Sequence, residues 1–294
     1  MPHLFHPAQP QNRYYAWFEA LHTRVDLLLF GTLSESDFEA VESEVRACLD
    51  RVEHMGNRFN PESELSLAVA AATTRPVSIS PELYSLLSRC LQANRDTGGL
   101  FDITVNSPKF YPGLIDAIHL HDGTLSIHRP SPPSLTSETA PAADVPHRAS
   151  SPSLTAPDAD VPHRASPPSF TGGVPEGWGG SSSSFITLDL SGILKGYALE
   201  RLRALLPTLG ITDALINLGN SSILSLGHNP SDIPPGHCLT TSGNATAQRR
   251  HIRHPLTGEF VTGQRQVSVT TTDAIDGEIA SIVAFLQSES QLDS

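Results

Sequence analysis

The stretch DLSGILKGYALE, from Asp189 to Glu200, decides how this chain is read. It sets a carboxylate, two glycines and one lysine where an apolar helical pattern begins. A lysine beside glycines at a helix start suits a phosphate, because unpaired backbone N–H groups and the positive end of the helix dipole face an anion there. Just upstream, FITLDL reads as a strand leading into the motif, and Ile193 to Leu206 reads as the helix that leaves it.

Working outward, HTRVDLLLFG alternates Val25, Leu27 and Leu29 as a strand does, after a polar lead over residues 1–20. From Ser36, with Glu39 completing a capping box, Phe38, Val41, Val45, Cys48, Leu49, Val52 and Met55 form the apolar stripe of a helix. A second helix opens at Ser80 with Pro81 in its first position and stops before Thr97, Gly98 and Gly99. Downstream of the lysine motif, ALINL reads as a strand ending at Gly219. Strands, helices and hairpin-like pieces in this order predict an α+β fold with mixed sheets, not a doubly wound parallel one.

Between Pro130 and Pro175 the character changes, since 11 of the 24 prolines fall there among Ser, Thr and Ala. ADVPHRAS occurs twice, from Ala143 and from Ala159, so residues 130–183 read as a duplicated low-complexity insertion without an apolar face to stack. Its His147 and His163 lack the fixed geometry of metal ligands. The remainder divides into parts at 21–129 and 184–294.

Composition narrows the function classes. The formal charge is −12, from 19 basic and 31 acidic residues, and no dense Lys/Arg patch offers a nucleic-acid surface. Cys48, Cys90 and Cys238 have no metal-ligand spacing and read as buried thiols. No apolar run is long enough for a membrane span, and the N-terminus carries neither a signal core nor a lipobox cysteine. That predicts a cytoplasmic protein, or an exported one if translation starts further upstream.

Five more segments accompany the lysine motif in order: RFNPESEL (Arg58 to Leu65), TGGLFDITV (Thr97 to Val105), INLGNSS (Ile216 to Ser222), TTSGNA (Thr240 to Ala245) and HIRHPLTG (His251 to Gly258). Together they resemble the bacterial FAD:protein FMN transferases, the ApbE-like family, from about Leu21 to Leu286 with one interruption. The resemblance implies two lobes with a flavin nucleotide cleft between them. It also implies FMN transfer from FAD, dependent on Mg²⁺, to a threonine of an acceptor flavoprotein, with AMP released. FAD hydrolysis to FMN and AMP, and flavin binding without catalysis, are the alternative activities.

Residue by residue, Lys195 is the candidate pyrophosphate contact, or else a solvent-facing helix lysine, and Gly196 would allow close approach. Asp189 would hold a ribose hydroxyl or metal-bound water, or else cap the helix. Asn60 joins the cofactor-binding candidates from its segment. Thr97, Gly98 and Gly99 would let a ring lie against main chain with Asp102 beside it, although a helix stop would look the same. Asn217 and Gly219 stand where a strand ends, and Thr241, Ser242 and Gly243 could donate to phosphate or flavin or form an ordinary turn. His251 is the candidate for proton transfer, with a structural role as its alternative.

Two positions depart from the family pattern: His254 stands where an acid is usual, and the C-terminal helix DGEIASIVAFL lacks the family's Asp and Thr metal ligands four residues apart. One alignment puts Glu278 and Ile282 there, and a shift of one residue puts Gly277 and Ser281. The resemblance thus implies an altered metal site built from Glu278, Asp276 and the Gly192 carbonyl.

Overall fold

The computed structural model describes residues 13–128, 185–244, 246 and 251–288. The proline-rich insertion, with the repeat and histidines read in it, lies outside the described residues. In chain order the elements are β1 Arg13–Ala20, β2 Thr23–Phe30, α1 Glu35–Gly56, α2 Glu64–Ala72, β3 Val77–Ser78 and α3 Pro81–Asp96. A 3-10 turn Leu114–Ala117 leads to β4 Ile118–His121 and β5 Thr124–Ile127. Then follow α4 Leu194–Thr208, β6 Asp213–Leu218, β7 Ser222–Leu226, β8 Cys238–Asn244, β9 Arg265–Thr271 and α5 Ala274–Gln287.

The strands make a six-stranded sheet ordered β1-β2-β6-β7-β8-β9 and a three-stranded sheet ordered β3-β5-β4. The fold is α+β, as predicted, and its strand pairings are antiparallel throughout where a mixture was expected. Both sheets and their helices belong to one compact body. Helices α1, α4 and α5 pack on the large sheet, and α2 packs on the small one.

Local chemistry explains where these elements begin. Residues 13–20, read as part of a polar lead, form an edge strand: Phe18 points into the core while Tyr15 and Trp17 face solvent. Arg24 lies over the exposed Trp17 ring and pairs with Asp26, which also accepts a hydrogen bond from Tyr15, so polar and aromatic partners replace the missing apolar cover. Helix α1 starts two residues earlier than expected because Ser34 and Asp37, not Ser36 and Glu39, complete the capping box. Ser80 caps α3 with Pro81 in its first turn, as read from the sequence. FITLDL is not a strand. Its tethers are Asp189 N–H to the Ile103 carbonyl (2.7 Å) and Thr187 N–H to Ser107 Oγ (3.0 Å), a mix of backbone and side-chain bonds in place of a ladder.

One hydrophobic core runs between the large sheet and its helices, and Leu27, Leu29, Leu49 and Leu202 are fully buried in it. All three thiols are buried and unbridged, and desolvation pushes Cys238 up to about 12. Because Leu49 sits in α1 at the packed face, Leu49→Ala should cost about 2–5 kcal/mol through lost transfer energy and a residual cavity. Urea unfolding at fixed pH reads this as a lower midpoint with an unchanged slope.

Candidate active site

A cavity of about 330 Å³ opens beside the start of α4, at the small end of the range for cofactor sites. Three separate stretches of chain line it: Leu21 and His22 from the β1–β2 turn, Glu53 to Phe59 from the end of α1 and beyond, and Asp189 to Lys195 from the lysine motif. Lys195 and Asp189 therefore meet in one cleft. Arg58, Phe59, His22 and Glu53 join them; Arg58 and Phe59 open the RFNPESEL segment, of which the sequence singles out Asn60 alone, and His22 and Glu53 stand in no motif.

The end of α1 shapes this wall. Asn57 is buried, and its amide meets His22 Nε2 (2.9 Å) and Glu53 Oε1 (3.3 Å) while its carbonyl oxygen accepts from Phe59 N–H. Glu53 also receives Leu21 N–H at 3.0 Å, so the turn and the helix end are tied together. Asn60 continues the bend by accepting Glu62 N–H, an Asx-type turn that leaves Phe59 exposed at the rim. The Arg58 guanidinium lies 4.1 Å over the Phe59 ring.

Asp189 does not cap α4. One of its oxygens accepts both the Ser191 N–H and the Ser191 hydroxyl. The other accepts from Asn106 Nδ2 (2.7 Å) and lies 3.0 Å from Arg58 Nε, a charge pair without hydrogen-bond alignment. With a side chain only 5% exposed, this carboxylate is largely committed to protein partners.

Lys195 is half-buried in the first turn of α4, and its ammonium donates to Ser221 Oγ. The backbone around it differs from the expected anion cradle: the N–H groups of Ile193 and Leu194 donate to the Leu190 carbonyl, and the Gly196 N–H serves Glu278. The lysine side chain thus carries the charge the cavity offers at this point. Gly196 is a packing glycine rather than a ligand contact, since a Cβ there would come within 2.6 Å of the Ala274 carbonyl and 2.7 Å of Glu278 Cγ. Glu200, at the end of the motif, accepts Ala274 N–H at 2.8 Å and so anchors the start of α5.

The expected metal residues separate on α5. Asp276 is turned to Arg89, 2.7 Å away, whereas Glu278 is buried and accepts the Ser222 hydroxyl at 2.5 Å. Two residues apart on a helix, they face different ways and cannot share an ion. Ile282 lies against Gly192, where a glycine Cβ would approach its Cδ1 at 3.1 Å. Gly277 instead faces Thr240 and Thr271, and Ser281 bonds Ser242, so the face turned toward the Gly192 loop carries Glu278 and Ile282. That face carries one carboxylate, bonded to Ser222 beside Gly196 with a lysine nearby, and one alkyl side chain, which is the group against Gly192. This set does not fit a divalent ion, and no group of three His, Cys, Asp or Glu side chains able to hold a metal occurs among the described residues.

The other candidates have defined places. Thr97 ends α3, its hydroxyl donating to the Ala93 carbonyl and accepting Phe101 N–H, and Gly98 and Gly99 take left-handed φ of 60° and 86°. Asp102 is buried and accepts from Thr104, with desolvation holding its carboxyl above the usual range. Asn217 locks the β6–β7 turn by exchanging hydrogen bonds with Asn220, and Gly219 there has φ of 65° with Thr23 against its open side. Thr241, Ser242 and Gly243 form strand β8, not a turn, with Thr241 bonded to Ser268 and the Thr241 N–H to the Ser221 carbonyl. His251 is exposed and is not among the cavity-lining residues. Its segment reaches the Asp189 side through Arg253, which donates to the Val105 carbonyl. His254 accepts Leu256 N–H through Nδ1 (3.2 Å), the turn-making role that a carboxylate would also perform.

Fold and cavity together define an α+β protein with a cleft at a helix start, lined by the cations Arg58 and Lys195 and the carboxylates Glu53 and Asp189. The chain belongs to the ApbE family, whose sequence pattern it matches over residues 21–145 and 180–293. The break between those ranges falls inside the proline-rich segment. The FAD:protein FMN transferase of Chlamydia muridarum (strain MoPn / Nigg) is 32% identical over 83 residues, which is 28% of this chain and 26% of that protein. This match spans about a quarter of the relative's length. Among solved structures, the flavin transferase ApbE from Vibrio cholerae has a TM-score of 0.65 at 16% identity, covering 93% of this chain and 86% of that one. The Pseudomonas stutzeri flavinyl transferase ApbE, apo form, gives 0.65 at 13%, covering 95% and 87%. The ApbE protein of Thermotoga maritima gives 0.65 at 15%, covering 96% and 89%. At such identities the likeness is one of fold.

Burial pushes the Glu278 carboxyl up to about 7, against the lowering influence of Lys195, Ser222 and the Gly196 N–H. A carboxyl whose folded pKa is raised favours folding below its unfolded value near 4.5 and loses that contribution as pH rises through about 7. Glu278→Gln removes the titration. Urea unfolding at about pH 5 and about pH 8 should therefore show a smaller decline with pH in the variant than in the wild type.

Proposed function

We propose that this protein transfers FMN from FAD to a threonine hydroxyl of a partner flavoprotein. The observation that carries the reading is the cleft in which Lys195 and Asp189 of the family's motif meet, within a chain of the ApbE family. The threonine oxygen attacks the phosphorus on the FMN side of the pyrophosphate, the bond to the AMP oxygen breaks, and the hydroxyl proton passes to a base. Lys195 offsets charge on the pyrophosphate, and Asp189 pairs with Arg58 on the cavity lining. His251 is the proposed proton acceptor, since its segment docks through Arg253 on the loop that also supplies Asn106 to Asp189.

Mg²⁺ is the cation the family resemblance implies, and when bound it would neutralise pyrophosphate charge. Gly192 and Glu278 are the residues the resemblance offers for it, but Ile282 lies against Gly192 and Glu278 accepts the Ser222 hydroxyl, so they do not make a chelating set. No step here is routed through the ion.

The test mixes the purified protein with FAD and an acceptor flavoprotein and follows covalent flavin fluorescence on a denaturing gel alongside AMP release. Labelled acceptor is the expected result, and AMP release without labelling would make water the nucleophile instead. Lys195→Ala should weaken FAD binding by about 1.5–3 kcal/mol, the usual size of a charge-assisted contact, as read by quenching of flavin fluorescence on titration. An unchanged affinity in a folded variant would remove Lys195 from the site.

A further inference from the structure

We propose that Arg58 and Lys195 together form the pyrophosphate clamp of this protein, taking over the charge neutralisation that a chelated divalent cation would provide. This rests on the flavin-transfer reading above. Both cations line the same cavity, from opposite parts of the sequence.

Three observations point to Arg58 as an anion contact. Its Nε faces Asp189 at 3.0 Å, while its two outer nitrogens donate to no described residue. The face of its guanidinium is occupied by the Phe59 ring at 4.1 Å, which leaves the edge, where the donors are, for a ligand. Asp189 in turn is held by Ser191 and Asn106, so the carboxylate that attracts the arginine is fixed before any ligand arrives. Asp189 is then a positioning residue. A planar fork with an unused edge is the geometry that accepts two phosphate oxygens at once, and Lys195 adds a second point charge.

The same structure removes the alternative source of positive charge. Ile282 occupies the position beside Gly192, and Glu278 is turned to Ser222 and to the Gly196 N–H. A pyrophosphate diester carries two negative charges at neutral pH; Lys195 supplies one cation to it, and Arg58, whose charge is shared with Asp189, supplies the outer N–H donors of its fork.

The experiment measures FAD and riboflavin binding by fluorescence in EDTA and again in excess Mg²⁺, for wild type, Arg58→Gln and Arg58→Lys. Expected are wild-type FAD affinity that EDTA leaves unchanged, a loss of roughly 10-fold or more in Arg58→Gln, and partial recovery in Arg58→Lys. Riboflavin, which lacks phosphate, should bind all three alike. FAD binding by wild type that vanishes in EDTA and returns with Mg²⁺, or Arg58→Gln binding FAD as wild type does, overturns the clamp while leaving the transferase reading standing. Wild type that binds FAD in neither buffer overturns both. Should Arg58→Gln fail to fold, inorganic pyrophosphate is titrated against FAD on wild type in EDTA: competition is expected, and its absence sinks the proposal.

Discussion

Helix α5 is wedged between α4 and strand β8, and the rest of the site depends on that close fit. It is made possible by a glycine on each side. Gly196 on α4 lets the Ala274 carbonyl and Glu278 come within contact distance, and Gly277 on α5 lets the helix sit on Thr240 and Thr271. Any side chain at either point would push α5 outward. Two polar locks hold the wedge in place: Glu200 takes the Ala274 N–H, and Arg89 reaches from α3 to Asp273 and Asp276 at 2.7 Å each. The chain thereby fixes which face of α5 meets the lysine motif.

That fixed face sets the electrostatics. A carboxyl driven into the core beside Lys195 is costly when ionised, and its hydrogen bonds from Ser222 and the Gly196 N–H offset part of the cost. The lysine keeps its ammonium toward Ser221 and the cavity, on the other side of the helix start. Asp189 behaves differently, because it stays at the cavity wall with an arginine as counter-ion. Two carboxylates near one lysine therefore do unlike work: Glu278 braces the helix pair, and Asp189 aims a cation into the cleft.

Periodicity made β2, α1, α3 and β6 legible, since each buries one stripe or one alternating face of its own residues. Strand β1 escaped because its outward residues Tyr15 and Trp17 are aromatic and blur the alternation, and FITLDL misled because an apolar run marks burial without saying whether a ladder partner exists. In the site, Lys195 and Asp189 could be read from the chemistry of one local motif. Arg58 opens the RFNPESEL segment and His22 lies in no motif, but the place of either in the cleft could not be read, since the cavity joins positions 22, 58 and 195 that only the fold brings together. Glycine was ambiguous in a different way: Gly196 announced a close approach, yet the sequence could not say that the approaching group was α5 and not a ligand.

The register of α5 shows how far packing can decide chemistry. Two alignments one residue apart assigned the family's ligand positions either to Glu278 and Ile282 or to Gly277 and Ser281. On a helix that shift is a rotation of about 100°, so only one pair can face the Gly192 loop. The structure turns Ile282 to Gly192 and Ser281 to Ser242. Ile282 also packs against the smaller apolar cluster of Val261, Phe285 and Leu286, so apolar packing extends to the side of α5 that meets Gly192. The cations that reach the cleft are Lys195 and Arg58, while α5 presents a bonded carboxylate and an alkyl side chain in place of a ligand set.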